Sequence, residues 1–156
     1  MDFQIKPLQA DAFSHLFKLD DQELAARGDR RQVVTAKPGT PCRVSMEDAE
    51  VGETVILFNY THQPEHTPYQ SSHAVFIREN AKEADIAVNE VPEVIRSRLI
   101  SLRFFDRDHM MCDATVVPGE IVGLEIARGF DNEDIAYAHI HNAIPGCFAA
   151  SAHRAG

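Results

Sequence analysis

Near the C-terminus, the run Tyr137-Ala138-His139-Ile140-His141-Asn142-Ala143-Ile144-Pro145-Gly146-Cys147-Phe148 places reactive side chains at a regular spacing. In a β-strand, residues i and i+2 point to the same face, roughly 6.5–7 Å apart at about 3.3 Å rise per residue. His139 and His141 therefore share a face with Tyr137, while Ala138, Ile140 and Asn142 take the other. Two imidazoles so placed can converge on one zinc or iron ion, each nitrogen about 2.0–2.1 Å from it. Two ligands do not hold a catalytic metal, and His62, His66, His73, Asp113 and Cys147 are the candidates for a third. The competing reading makes both residues ordinary half-buried sheet histidines satisfied by backbone carbonyls.

Cys147 follows Pro145-Gly146, a tight turn able to lift a side chain into the open. With His141 as its base it is a candidate nucleophile, because a nearby imidazole lowers a thiol pKa. Cys42 also follows a proline turn and has Arg43 beside it. Against both stands the usual role of a free cysteine as a small buried apolar residue. Between His62 and His66 lies Pro64, which removes the continuous helix that would bring residues four apart onto one face. That same run, with Tyr69, Ser71 and Ser72, is expected to line whatever cleft exists. A histidine-triad hydrolase would need a histidine where Ala143 stands, and a cupin a glutamate where Asn142 to Gly146 run, so both are rejected. Neither a phosphate-binding glycine loop nor G-x-S-x-G nor H-E-x-x-H occurs.

Positioning these residues calls for an α+β fold with a mainly antiparallel sheet, a few short helices and one longer helix at about 118–129. Residues 2–6 alternate weakly as an edge strand, and Ala12, Phe13, Leu16 and Phe17 have helical spacing. Asp20 and Glu23 form a capping box, with Gly28 as the helix stop. The apolar run Thr54–Tyr60 predicts a strand buried on both faces, followed by a loop over residues 61–72 and a return strand at 73–77. Residues 98–106 and 110–116 predict a hairpin through the turn Asp106-Arg107-Asp108-His109. The His139 strand spans residues 135–142, and a return strand begins at Cys147.

At 156 residues, 44% hydrophobic and 25% charged, the chain has the size and balance of a single domain spanning residues 1–156. Fifteen Lys and Arg against twenty-four Asp and Glu leave a net charge of −9, which repels nucleic acid and anionic membranes. The start has no signal-peptide pattern and the three cysteines are odd in number, so a cytoplasmic, reduced protein is expected.

Several segments together look familiar: Ala36 to Ser45, Asp48-Ala49 with Gly52-Glu53, Pro68 to His73 with Phe76-Ile77-Arg78, Asp106 through Met111 with Asp113, and His139 to Ala143 with Gly146-Cys147-Phe148. The chain resembles the bacterial family called domain of unknown function 1203 over about residues 2–153. The resemblance implies a stand-alone bacterial protein whose motif blocks include Cys42, Arg43, Tyr69, Ser72, His139, His141, Asn142 and Cys147. Gln70 departs from it, standing where the family carries an arginine after Pro-Tyr. The family supplies no activity to transfer. Three functional readings remain open. One is a small-molecule enzyme or binder, with zinc or iron on His139 and His141 and with Arg43, Tyr69, Ser72 and Asn142 contacting the substrate. The second is a cysteine-nucleophile enzyme using Cys147 and His141. The third is a non-catalytic module that pairs as a homodimer through an open sheet edge.

Overall fold

The computed structural model describes residues 1–156. Its elements are β1 (Phe3–Lys6), α1 (Asp21–Arg27), β2 (Arg30–Val33), β3 (Thr54–Gln63), β4 (Ser71–Arg78), α2 (Glu93–Arg96), β5 (Leu99–Phe105), β6 (Met111–Pro118), α3 (Val122–Phe130), β7 (Tyr137–Asn142) and β8 (Phe148–Arg154). The strands are mostly antiparallel and the fold is α+β. None of the helices is long and apolar enough to cross a membrane. The chain divides into two units, one of residues 1–6, 61–72 and 85–156, the other of residues 7–60 and 73–84.

The first unit is built on a five-stranded antiparallel sheet in the order β1-β8-β7-β5-β6, with β7 at its centre. Phe104 stands opposite Ala138, Leu102 opposite Ile140, and Ala152 opposite both Ala138 and Ile5. These residues share one face, and every one of them is buried. Helix α3 lies against β1 and β5. It turns Val122, Ile126 and Phe130, four apart, into the core, as its apolar spacing dictates. Alanines at 138, 150 and 152 and glycines at 123 and 129 let helix and sheet approach. A Cβ on Gly129 would lie 2.4 Å from the Phe104 ring. The opposite face of the same sheet carries Ser101, Arg103, Tyr137, His139, His141, Ser151 and His153, a polar set for an interior surface.

In the second unit β2, β3 and β4 form a three-stranded sheet with β3 in the middle, as its two-sided apolar run requires. Val34, Ala49 and Val55 pack with Phe76, while Phe13 meets the rings of Phe58 and Tyr60. Helix α1 has the expected capping box, with Glu23 N–H donating to Asp20 at 2.7 Å and Asp20 N–H donating to Glu23 at 3.2 Å. Gly28 closes it in the left-handed region, with φ +84°.

Three sequence expectations need correction. Residues 10–18 form 3₁₀ turns rather than an α-helix. Cys147 lies in the turn before β8 rather than within the strand. Most consequential, the 61–72 loop shrinks to residues 64–70, because β3 continues through Gln63 and β4 starts at Ser71.

Gly119 sets a packing limit beside α2. A Cβ there would lie 2.1 Å from the Ile95 carbonyl oxygen and 2.6 Å from that of Arg96, both backbone atoms that cannot swing aside. Gly119→Ala is expected to cost about 1–3 kcal/mol in urea unfolding. Gly123→Ala meets only side chains, the nearest at 3.3 Å, and gains about 1 kcal/mol of helix propensity, so it is expected to stay near wild type. Equal losses in the two variants would refute this account of Gly119.

A buried histidine cluster and a Tyr-His-Glu network

The polar face of β7 owes its geometry to strand periodicity. His139 stands opposite Arg103 on β5 and Ser151 on β8, and His141 opposite Ser101 and Phe148, with a register shift in the β7–β8 ladder between Ile140 and His141. Both imidazoles are buried, His141 completely. The third member of the cluster is His62, brought in by the last turn of pleat on β3 and itself buried. Its Nδ1 is 3.4 Å from Nδ1 of His139. His62 and His141 also each offer a ring nitrogen, the two within 4.8 Å of one another. Phe148 stacks on the His62 ring at 5.0 Å, and Phe105 lies 5.0 Å from the His139 ring, so the cluster has an apolar wall.

Hydrogen bonds orient these rings. The Gly146 carbonyl is 3.0 Å from His141 Nδ1 and can only accept, so that nitrogen carries the proton. The tight turn at Pro145-Gly146, with Gly146 at φ +80°, is what turns this carbonyl back onto the strand it follows. On His62 the Ser71 hydroxyl engages Nε2 at 3.3 Å. Burial pushes the His139 pKa down to about 3, reinforced by His62, His153 and Arg103. It pushes His141 down to about 3 as well, with Arg103, His62 and His139 adding to it and the Gly146 bond opposing it. Both side chains are therefore neutral imidazoles at ordinary pH, the form that ligates a metal.

A second network begins at Tyr137, whose ring is 5.4 Å from that of His139 and stacked on Phe105 at 5.2 Å. Gln63 Nε2 donates to the Tyr137 hydroxyl at 2.9 Å, and that hydroxyl is 2.8 Å from Nδ1 of His109. Nε2 of His109 is 3.9 Å from a Glu65 carboxylate oxygen. Tyr137 and His109 share one hydrogen bond, and with the imidazole proton on Nε2, toward Glu65, the phenol is its donor. Burial pushes the Tyr137 pKa up, with Gln63 opposing. His109 ends the β5–β6 turn with φ +62°, a left-handed conformation that histidine tolerates better than most non-glycine residues.

Of the residues singled out from sequence, His139 and His141 come together around His62, one of the candidate third ligands. Cys147 is half-buried in the adjoining turn, with Asn142 Nδ2 donating to its sulfur at 3.6 Å, and Asn142 is buried. Tyr69 is exposed and meets Phe105 edge-on, while Ser72 is exposed at the start of β4. Cys42 and Arg43 are buried in the second unit. There Cys42 bridges to Phe76, and the Arg43 guanidinium donates to the Pro41 carbonyl at 2.6 Å. His66 is exposed on the 64–70 loop, and Asp113 is exposed on β6. His109, Glu65 and Gln63 were not legible as a site. They lie in separate segments, and the only signal was the number of histidines, eight in all.

A family model matches residues 39–154, and the chain belongs to the family described as protein of unknown function (DUF1203). No curated protein and no solved structure matches it.

The neutral histidines link stability to pH. Their folded pKa lies below the unfolded value of about 6.5, so below that pH the unfolded chain binds protons that the folded chain refuses. The stability they contribute is complete above about pH 6.5 and is lost as pH falls toward about 3, by up to about 1.4 kcal/mol per pH unit for each histidine. Urea unfolding of EDTA-treated protein at pH 7, 6 and 5 is expected to show this loss, with a shallower slope in His141→Asn. Stability unchanged from pH 7 to pH 5 would contradict the buried neutral state.

Proposed function

We propose that this family member binds a divalent transition metal, zinc or iron, through His62, His139 and His141, and acts on a small molecule at that centre. The observation that carries the reading is the 3.4 Å separation of the His62 and His139 Nδ1 atoms. Two nitrogens each about 2.0–2.1 Å from a tetrahedral ion lie about 3.3–3.4 Å apart. An N–H···O or N–H···N hydrogen bond is shorter, about 2.7–3.2 Å. The His62 and His141 nitrogens, within 4.8 Å of one another, close onto the same ion by side-chain rotation.

The outer hydrogen bonds support the same reading. Metal-bound histidines usually engage their other ring nitrogen with a carbonyl or hydroxyl, which fixes ring orientation and raises ligand basicity. The Gly146 carbonyl on His141 and the Ser71 hydroxyl on His62 are partners of that kind. Phe148 and Phe105 supply an apolar surround that strengthens electrostatic interactions at a bound ion. Asn142 lies on the face of β7 opposite His139 and His141, where its amide donates to the Cys147 sulfur at 3.6 Å, so neither is counted among the substrate contacts.

The expected result is about one zinc or iron per chain by elemental analysis of protein purified without added metal, falling at least tenfold in His62→Ala and His139→Ala. EDTA is expected to lower the wild-type melting temperature and to leave the variants unmoved, since a ligand that binds only the folded state stabilises it. Substoichiometric metal in wild type and variants alike, after incubation with excess zinc, would end the proposal.

A further inference from the structure

In the second unit, the 3₁₀ turns of residues 10–18, Val44 and residues 77–81 enclose a cleft of about 300 Å³. That is the small end of the roughly 300–1,000 Å³ range of small-molecule sites. The most buried of its lining residues are apolar, Val44 at 1% exposure and Ile77 at 2%, and half-buried Phe17 adds a ring. Its walls are tied together within the unit. Leu8 N–H donates to the Arg43 carbonyl at 2.9 Å, Ala84 N–H to the Val44 carbonyl at 3.0 Å, and Ala10 N–H to the Glu83 carboxylate at 2.9 Å.

Three charged side chains line the cleft, Lys18, Arg78 and Glu79. Arg78 is matched inside the protein, since its guanidinium donates to both Glu53 carboxylate oxygens at 2.7 and 2.6 Å and to the Ser45 hydroxyl at 3.3 Å. Lys18 and Glu79 are exposed, and neither side chain has an ion pair or hydrogen bond, with each other or with any other residue. Their backbone positions are nonetheless fixed. Glu79 N–H donates to the Thr54 carbonyl at 3.0 Å, and Arg31 holds the Leu19 carbonyl, next to Lys18, at 2.7 Å. An apolar lining thus carries one unmatched cation and one unmatched carboxylate at its edge.

We propose that this cleft binds a small apolar amino acid, with its side chain against Phe17, Val44 and Ile77, its carboxylate on Lys18 and its ammonium on Glu79. A ligand with a carboxylate alone meets Glu79 as a like charge, and one with an amine alone meets Lys18 in the same way. A molecule carrying both groups matches both. The apolar contact supplies most of the binding, and the two exposed charges supply selectivity. The site is independent of the metal reading, because His62, His139 and His141 belong to the other unit.

Three probes with the same ring separate these contributions: L-phenylalanine, 3-phenylpropionate, which lacks the ammonium, and 2-phenylethylamine, which lacks the carboxylate. The EDTA-treated full chain is titrated with each at pH 7, and the methyl signals of Val44 and Ile77 are followed by NMR. Phenylalanine is expected to bind about twofold to fivefold more tightly than either relative, as exposed charge pairs allow. Lys18→Met is expected to remove its advantage over the amine, and Glu79→Gln its advantage over the propionate. Both substitutions are at exposed positions and leave the fold intact. Val44 and Ile77 signals that stay unmoved at about 10 mM of every probe, a dissociation constant too weak for a site, overturn the inference. So does a phenylalanine that binds no more tightly than its relatives, or an advantage that persists in both variants.

Discussion

A strand at the centre of a five-stranded sheet, buried on both faces, leaves no water for the polar atoms it carries, and β7 carries two histidines. Each imidazole must either stay neutral and find hydrogen-bond partners inside the protein or be paired with a charge. Burial disfavours a positive charge on either ring, and Arg103 on the neighbouring strand adds to it, so the neutral form wins. Much of the surrounding structure follows from meeting that demand. The Pro145-Gly146 turn bends to present a carbonyl to His141, and His62 at the end of β3 comes within 3.4 Å of His139. The opposite face of the sheet, freed of polar groups, presents Ala138, Ala150 and Ala152, and α3, with Gly123 and Gly129, lies close to it.

Neutral imidazoles and apolar rings stand together at one end of this strand face, while two residues along the same strand the environment changes character. Tyr137 looks toward the turn that ends in His109 and toward Glu65, where part of the surface is open and carboxylates dominate. A single strand face therefore runs from a dry end walled by apolar rings to a more open end that faces carboxylates. The alternation of β7 is what keeps Tyr137, His139 and His141 on that face in sequence.

Much of this was legible from residue order. The shared face of Tyr137, His139 and His141 follows from the two-residue period of a strand, and the β5–β6 hairpin, the capped α1 and the apolar β3 follow from equally local rules. The failures were local too. Pro64 and the polar residues after it suggested that the chain left the sheet at Thr61, yet β3 continues three residues further. Ladder pairing and burial outweighed composition there, and the extra length is what delivers His62 and Gln63. Ala10–Lys18 has helical spacing, but Phe13, at φ −127°, breaks it into two 3₁₀ turns.

What the sequence by itself determined is the content of one strand face, the class of fold and the chemistry available to each residue. It also carried the family resemblance, which the family model shows over residues 39–154. Which histidines meet was decided only in three dimensions. His62 with Glu65, His109 and Tyr137 lie in three segments separated by tens of residues, and no period of strand or helix relates them. Their distances depend on where β3 ends, on the left-handed turn at His109 and on the antiparallel register of β5 with β7. The His141 tautomer was decided there as well, because the Gly146 carbonyl can only accept and so places the proton on Nδ1. Arg43 and Cys42 show the other side of this. A motif read beside the histidines belongs to a separate unit of the structure, since adjacency in a family pattern carries no distance.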